Sequence, residues 1–565
     1  DLSAGAPRIV GHARRYRVMK VLFLMESPEY LRFFDSAIEE MAARGHAVAI
    51  AVTSDRTGKP VGLGGLQQYA DRVRVLGMVP QHDGFWGPTT HRLHAVMDFA
   101  RYFHPRFAAA VALRARIKRK VLPAAYHWLD AVPRLSPDMV RRIERMLMAC
   151  DRAIPPYPPM VDFLQEAAPD VLLVSPLVDA ASKQVDWIKA ARTLGLRTAV
   201  CVASWDNLTN KGLLRIEPDL VVVWNDALKR EAQEYHYIPE EKIAVTGAQL
   251  FDRWFAGRVA RNREEFCARV GLPDTRPFLL FTGSSSFISE SHAEAAFVRR
   301  WITVLRSGAD PCLQDLNILV RPHPYNCHAW DPDPVGDLPG VTVFPRRGYN
   351  PIDAENRADF FDSIYHSTGV VGINTSAMIE AAIIGRPVFS LLADEFAGTQ
   401  EGSIHFHHLL PENGGCVRVA ATLEEHVEQL SHRLGDPEGA RIEIERFVAS
   451  FIRPHGVDRR ATPIFADTIE QLAASPRPQP QTTPPWAPGA WPVILTASAV
   501  AAVVDWLRHK PLKPVHRALE KAGHRSRKTV VRTLAVARER VKRRAKLIGK
   551  QWQKSVVKPL RTRRS

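Results

Sequence analysis

Several groups of residues in this chain have the types and spacing for nucleotide chemistry. The fullest is Val370–Leu391, V-V-G-I-N-T-S-A-M-I-E-A-A-I-I-G-R-P-V-F-S-L. It reads as strand, hydroxyl-bearing turn, short apolar helix, Gly stop and second strand. Asn374, Thr375 and Ser376 are strong N-cap types, Gly385 suits the C′ position, and Pro387 prevents the helix from continuing. One charge, Glu380, interrupts the apolar helix, and a buried carboxylate is costly unless something pairs with it. Ser376 and Glu380 are four residues apart and share a helix face. A helix N-terminus with hydroxyls, here Thr375 and Ser376, suits a phosphate. A carboxylate one turn further in suits the two hydroxyls of a ribose.

Loss of a nucleotide leaving group puts charge on phosphate, so catalysis needs donors where that charge develops. Ser284, Ser285 and Ser286, in T-G-S-S-S, and Arg321-Pro322-His323-Pro324 each follow an expected strand. The prolines flanking His323 remove backbone donors and stiffen the loop, so the imidazole is presented rather than packed. The bland alternative is a turn carrying a satisfied surface histidine. For Glu380 it is a solvated helix edge.

A transfer to a hydroxyl acceptor also needs a base. Asp206, in Ser204-Trp205-Asp206-Asn207, follows a strand and has neighbours that could stack on and hydrogen-bond a sugar. Glu29 is the second candidate, and Glu26 is similarly placed; each could instead be a capping or loop acid. Gln400 and Glu401 lie in the loop after Val388–Leu392. His405 and His407 alternate, but spacing fixes no third ligand. Asp331-Pro332-Asp333 has no strand before it. No metal or other cofactor is expected.

The elements that must position these groups alternate. Val18–Leu24, helix Leu31–Ala43 and Ala47–Val52 form a βαβ opening. Asp170–Val174, Thr198–Ala203 and Leu220–Trp224 are further short apolar strands. Gly58–Gly65 is Gly-rich, but no G-x-G-x-x-G follows the first strand. A second series comprises Phe278–Phe281, Leu319-Val320, Val341–Phe344 and the Val370–Leu391 motif, followed by helices at about 422–434, 440–453 and 462–473. The fold class is α/β, with two Rossmann-like doubly wound domains and a cleft between them. The expected division is 1–246 for the acceptor domain, with a helical insertion at about 92–150, and 247–473 for the nucleotide-donor domain. A Pro-rich linker follows at 474–492, then an apolar segment and basic tail at 493–565.

Arg44-Gly45-His46 closing the first helix, and S-A-M-I-E-A-A-I-I-G-R-P-V late in the chain, resemble GT-B glycosyltransferases. R-P-H-P at 321–324 is similar to the His-Pro motif of bacterial sialyl-, Kdo- and CDP-glycerol glycerophosphotransferase-like enzymes. That resemblance, over about residues 18–470, implies a CMP- or CDP-activated donor, with Thr375-Ser376 matching the motif that holds the nucleotide phosphate and with Gln400 and Glu401 as candidates for contacting the donor sugar. Non-hydrolysing UDP-sugar 2-epimerases share the plan and a related G-x-P-V segment. The expected activity is transfer of a sugar or polyol phosphate to a cell-surface polysaccharide or lipid-linked acceptor. The alternatives are a UDP-sugar 2-epimerase-like enzyme and a non-catalytic component of a polysaccharide assembly complex.

The formal charge of the 565 residues is +16. Arg508–Ser565 carries 21 Lys/Arg against Glu520 and Glu539, so this segment alone exceeds the total and leaves the remainder at −3. The basicity belongs to the tail. It reads as a solvated appendage, as an attachment to anionic lipid, or as a nucleic-acid binder; sparse aromatics disfavour the last. Val493–Leu507 is about 15 residues long, below the ~20 needed to span a bilayer, and with Trp491 and Trp506 it could lie in the interface. The six cysteines have no C-x-x-C pair and fit a reducing cytoplasm. Ile9–Arg17 is too polar and short for a signal-peptide core. A cytoplasmic enzyme, peripheral on the inner membrane face, is expected.

Overall fold

The computed structural model describes residues 18–54, 64–308, 310–349, 351 and 353–509. Ile9–Arg17, most of Gly58–Gly65 and the basic tail beyond His509 lie outside the described residues. Chain contacts define two compact units, changing at Pro80/Gln81, Phe107/Ala108, Leu113/Arg114, Tyr157/Pro158 and Thr482/Thr483.

The first unit holds two all-parallel sheets. One contains β1 (Lys20–Met25), β2 (Ala47–Val52), β3 (Val73–Met78), β4 (Val171–Ser175), β5 (Arg197–Cys201), β6 (Leu220–Val223) and β7 (Ile243–Val245) in the order 3-2-1-4-5-6-7. The other contains β8 (Phe278–Thr282), β9 (Asn317–Arg321), β10 (Val341–Val343), β11 (Gly369–Gly372), β12 (Val388–Leu391) and β13 (Val417–Ala420) in the order 10-9-8-11-12-13. Both sheets are doubly wound, as the alternation predicts. Their central strands are continuous apolar runs because helices cover both faces. β4, β5, β8 and β9 are buried along their whole length. The order reverses between β1 and β4 and between β8 and β11. Open α/β sheets bind ligands at such switch points.

The first sheet packs on Phe34, Ala37, Ile38 and Met41 of helix Leu31–Ala43. It also packs on Phe465, Ala466 and Ile469 of helix Ala461–Ala474, a helix expected with the second domain. Two groups drive this return. Burial of each large apolar side chain contributes roughly 1.5–3 kcal/mol. The buried Glu470 carboxylate accepts from His46 Nε2 at 2.9 Å and from Arg44 Nη1 at 3.1 Å. The Arg-Gly-His turn therefore anchors the returning helix. Gly45 takes φ +93°, a conformation that favours glycine. The Pro-rich segment begins against the same sheet. Arg197 Nε donates to Ser475 O at 2.8 Å, and Gln481 N donates to Arg192 O at 2.8 Å.

The second unit contains helices Gly87–Ala100, Pro137–Ala153 and Ala487–His509. Trp86, Ala153, Ile154, Ala487 and Ile494 form its apolar core, with Trp491 packed against it and donating Nε1–H to Ala153 O at 2.7 Å. Thr89 and Ser498 hydroxyls bond at 3.0 Å, and buried His94 and Asp151 pair at 2.9 Å. The stretch expected to stay a linker through Pro492 becomes helical at Ala487, and Pro492 lies inside the helix. Packing of Ala487, Trp491 and Ile494 outweighs the one backbone bond that proline removes. Ala487–Asp505, 19 residues with mean hydropathy 1.7, is long and apolar enough to cross a membrane by length and composition alone. The apolar segment thus starts earlier than Val493.

Candidate functional site

The loops at the second sheet's switch point meet. Asn374 N, after β11, donates to Ser284 Oγ, after β8, at 3.4 Å. Gly283 permits the close approach of the third loop: a Cβ there would lie 2.7 Å from His323 N. Beneath the serine loop, buried Glu294 accepts from Ser284 N at 2.7 Å and from Ser289 Oγ at 2.9 Å. Asn326 Nδ2 donates to Ser284 O and Ser289 O, both at 3.0 Å. Burial pushes the Glu294 carboxyl up to about 7 despite those two donors. Ser284 is buried, Ser285 half-buried and Ser286 exposed. The loop is therefore held from below and offers its last two hydroxyls outward.

Ser376 occupies the N-cap position of helix Ala377–Ile384 but makes no capping bond. This corrects the N-cap reading. Its backbone is already helical (φ −61°, ψ −21°), and its Oγ accepts instead from Trp205 Nε1 at 3.1 Å. Thr375 Oγ1 lies 3.5 Å from Ala377 N. Glu380, one turn on and half-buried, has its carboxyl pushed up to about 8 by burial, while Arg253 and Arg32 pull the other way. Arg253 is held at the first sheet by Asp35 at 2.9 Å and donates to Arg32 O at 3.2 Å. A carboxyl and two guanidinium groups from opposite sheets thus face one another.

His323 is half-buried beside this cluster. Burial, then the charge of Arg32, pushes its imidazole down to about 4. Tyr325 N donates to His323 Nδ1 at 3.2 Å, which leaves the proton of the neutral ring on Nε2. His323 is therefore an uncharged hydrogen-bond donor. Arg321 is turned away from this cluster. Its guanidinium donates to Ser363 Oγ at 3.1 Å and stacks over Phe360, 5.2 Å from the ring centre. Burial pushes it down to about 10. It ties β9 to helix Ala354–Tyr365.

Asp206 lies next to Trp205, on the loop after β5. Its carboxylate accepts from Asn210 Nδ2 at 3.2 Å and Asn207 Nδ2 at 3.3 Å. Burial alone would raise it, but Lys211, His405 and bonds from Ser204 and Asn210 outweigh burial and hold it below the usual carboxylate range. Lys211 joins this loop to the switch point of the first sheet, bonding Asp179 at 2.8 Å and Tyr30 Oη at 3.2 Å. Burial pushes the Tyr30 phenol up to about 12. Glu29, half-buried after β1, is the neighbour of Tyr30.

Gln400 and Glu401 part company. Gln400 is buried, and its Nε2 donates to Ile373 O and Leu391 O, both at 3.0 Å, and to Ser390 Oγ at 3.2 Å. It fastens the loop to the ends of β11 and β12. Glu401 is exposed. His405, from the same loop, stacks edge-on against Trp205 at 4.7 Å.

Ser285, Ser286, His323, Thr375, Ser376 and Glu380 thus come from one sheet edge, with Asp206 and Tyr30 across from them. Arg32, Arg253, Lys211 and Glu294 belong to this arrangement but were not singled out from the sequence. Arg32 and Arg253 lie in helices Leu31–Ala43 and Asp252–Ala256, and only the meeting of the two sheets brings their charges to Glu380. Glu294 had a weak signal, as the one acid in helix Ser291–Ser307, on a face with Phe297 and Val298 three and four residues on.

No protein-family profile and no curated protein matches the chain. Solved structures resemble it in outline. A UDP-GlcNAc 2-epimerase from Neisseria meningitidis bound to UDP-GlcNAc is 12% identical, with a TM-score of 0.47, over 80% of this chain and 100% of that one. A glycosyltransferase from Rickettsia africae ESF-5 is 10% identical, with a TM-score of 0.47, over 82% and 100%. WaaG, a glycosyltransferase involved in lipopolysaccharide biosynthesis, is 13% identical, with a TM-score of 0.42, over 81% and 100%.

Proposed function

We propose that this protein is a transferase acting on a nucleotide-activated donor, with the donor seated at the β8/β11 switch point and the acceptor approaching from the first sheet. The observation that carries the reading is the Trp205–Ser376 bond at 3.1 Å. It sets the Asp206 loop against the turn whose hydroxyls suit a phosphate.

Each group then has a role. Ser285, Ser286, Thr375 and Ser376 receive the donor phosphates. His323 Nε2–H donates to the departing phosphate oxygen. Glu380 bonds the ribose hydroxyls, and Arg32 and Arg253 balance the phosphate charge. The acceptor oxygen forms a bond to the transferred sugar carbon, or to phosphorus for a polyol phosphate. The bond to the nucleotide phosphate breaks and its electron pair leaves with the nucleotide. The acceptor proton goes to Asp206 or Glu29. Glu401 contacts the donor sugar. The donor is CMP-, CDP- or UDP-linked, and the acceptor is a cell-surface saccharide or a lipid-linked one.

Membrane attachment suits such an acceptor. Val493, Val500 and Val503 are 72%, 58% and 49% exposed along one side of helix Ala487–His509. Beside a basic tail, such a row suits the interface of an anionic bilayer on the cytoplasmic side.

Calorimetric titration of CMP, CDP, UDP and GDP tests the seat. At least one should bind, and Ser376→Ala and His323→Ala should each weaken it. No binding of any of the four would sink the reading. Donor consumption without an acceptor would move it toward epimerisation. Loss of liposome binding on truncation after Ser475, with nucleotide affinity intact, would support the membrane role.

A further inference from the structure

Outside the nucleotide seat, one surface cluster has the composition of a transition-metal site. Glu290, His292 and His328 are all exposed, and one ligand atom from each lies within 4.8 Å of the other two. Among the described residues this is the one group of three or more such side chains so placed. It combines two imidazoles with a carboxylate, a donor set that suits Zn2+ and its first-row neighbours.

Local structure holds the cluster together. Glu290 caps helix Ser291–Ser307, its Oε2 accepting from His292 N at 3.0 Å and Ala293 N at 3.2 Å. These bonds orient the carboxylate much as outer partners orient metal ligands. Its Oε1 faces His328 Nε2 at 3.3 Å, and the His292 and His328 rings lie 5.2 Å apart. Ligand atoms around a four-coordinate zinc, bound at about 2.0–2.2 Å, are roughly 3.3–3.6 Å from one another, so small rotations of exposed side chains close the site.

The position matters as much as the composition. Glu290 and His292 begin the helix after β8, whereas His328 belongs to the loop after β9. The same two segments are joined inside by Ser291, whose Oγ donates to Asn326 O and accepts from Ala329 N, both at 3.0 Å. Asn326 in turn supports Ser284 and Ser289. We propose that Glu290, His292 and His328 bind one Zn2+-class ion, which staples the loop after β8 to the loop after β9 from the outside.

The site does not depend on the nucleotide reading and is tested without it. Full-length protein stripped with a chelator is titrated with Zn2+ by calorimetry, and with Co2+ by visible absorption. We expect one site. His292→Ala and His328→Ala should each weaken binding tenfold or more, and His407→Ala, an exposed histidine elsewhere, should leave it unchanged. Zn2+ should also raise Tm in the wild type and not in the His292→Ala/His328→Ala double variant. Both histidines are exposed, so circular dichroism should show these variants folded. Absence of binding to wild-type protein, or equal affinity in wild type and double variant, would overturn the proposal.

Discussion

Trp205 donates its indole N–H to Ser376 Oγ across the cleft at 3.1 Å, while its ring packs edge-on against His405. One side chain thus couples the loop bearing Asp206 to the turn bearing Thr375 and Ser376. Trp205→Phe keeps the ring contact and removes the donor. It should lower stability by about 0.5–1.5 kcal/mol, read as a shift of the urea midpoint at unchanged m-value.

Glu380 and Glu294 titrate high, to about 8 and about 7 from an ordinary 4.5. A raised carboxyl pKa means the folded protein holds protons that the unfolded chain has released. Stability from these groups is full below about 4.5 and is lost as pH rises through 7 and 8. Urea unfolding between pH 5 and 8.5 should therefore show stability declining. Glu380→Gln and Glu294→Gln should each flatten the decline, by roughly 1–3 kcal/mol at the alkaline end. A flat wild-type profile would contradict the assignment.

His323 behaves in the opposite sense. With its imidazole pushed down to about 4 from 6.5, its contribution is present above 6.5 and is lost as pH falls toward 4. A proton NMR titration of the His323 ring should show no midpoint near 6.5. If the imidazole is the neutral donor proposed, nucleotide affinity should not rise between pH 7 and pH 5.5. His323→Gln, which keeps a side-chain donor, should retain more affinity than His323→Ala.

Asp252 is the fastening point where the chain passes between sheets. Its Oδ1 accepts from Arg453 Nη2 at 2.7 Å and from Ala461 N at 3.2 Å, and its Oδ2 accepts from Thr462 N at 2.7 Å. Asp252→Ala would take the carboxylate from the buried Arg453 guanidinium, which keeps only its bond to Val457 O, and would leave two amides without their acceptor. The expected cost is about 3–5 kcal/mol, measurable as a large drop in Tm. Arg418→Ala, at a half-exposed ion pair with Glu443, should cost under about 1 kcal/mol.

Much of the fold was legible because the chemistry is local. Leu31–Ala43 and Ala47–Val52 are expected and observed with the same boundaries. β3, β7 and β13 were not foreseen. V-R-V-L-G-M and V-R-V-A mix charge into short edge strands, and β7 has three residues, so none shows an apolar run. Within the candidate site, Ser376 and Glu380 follow β11 and His323 follows β9, as their spacing predicts. The side-chain directions were not legible. Arg321 and Gln400 bear groups that suit a ligand, yet in the structure they donate to Ser363 Oγ and Ile373 O.

By itself the sequence determined two doubly wound α/β series, the turns that end their strands, and the hydroxyl, imidazole and carboxyl groups placed on those turns. These follow from periodicity and from turn-forming residues, which act over a few positions. Only the tertiary structure decided that Ala461–Ala474 returns to the first sheet, that Ser376 meets Trp205 rather than capping its helix, and that Arg32 and Arg253 face Glu380. Each depends on groups brought together from distant parts of the chain. Hydrogen bonds and charge interactions act at a few ångströms in space, a proximity that no local pattern in the chain encodes.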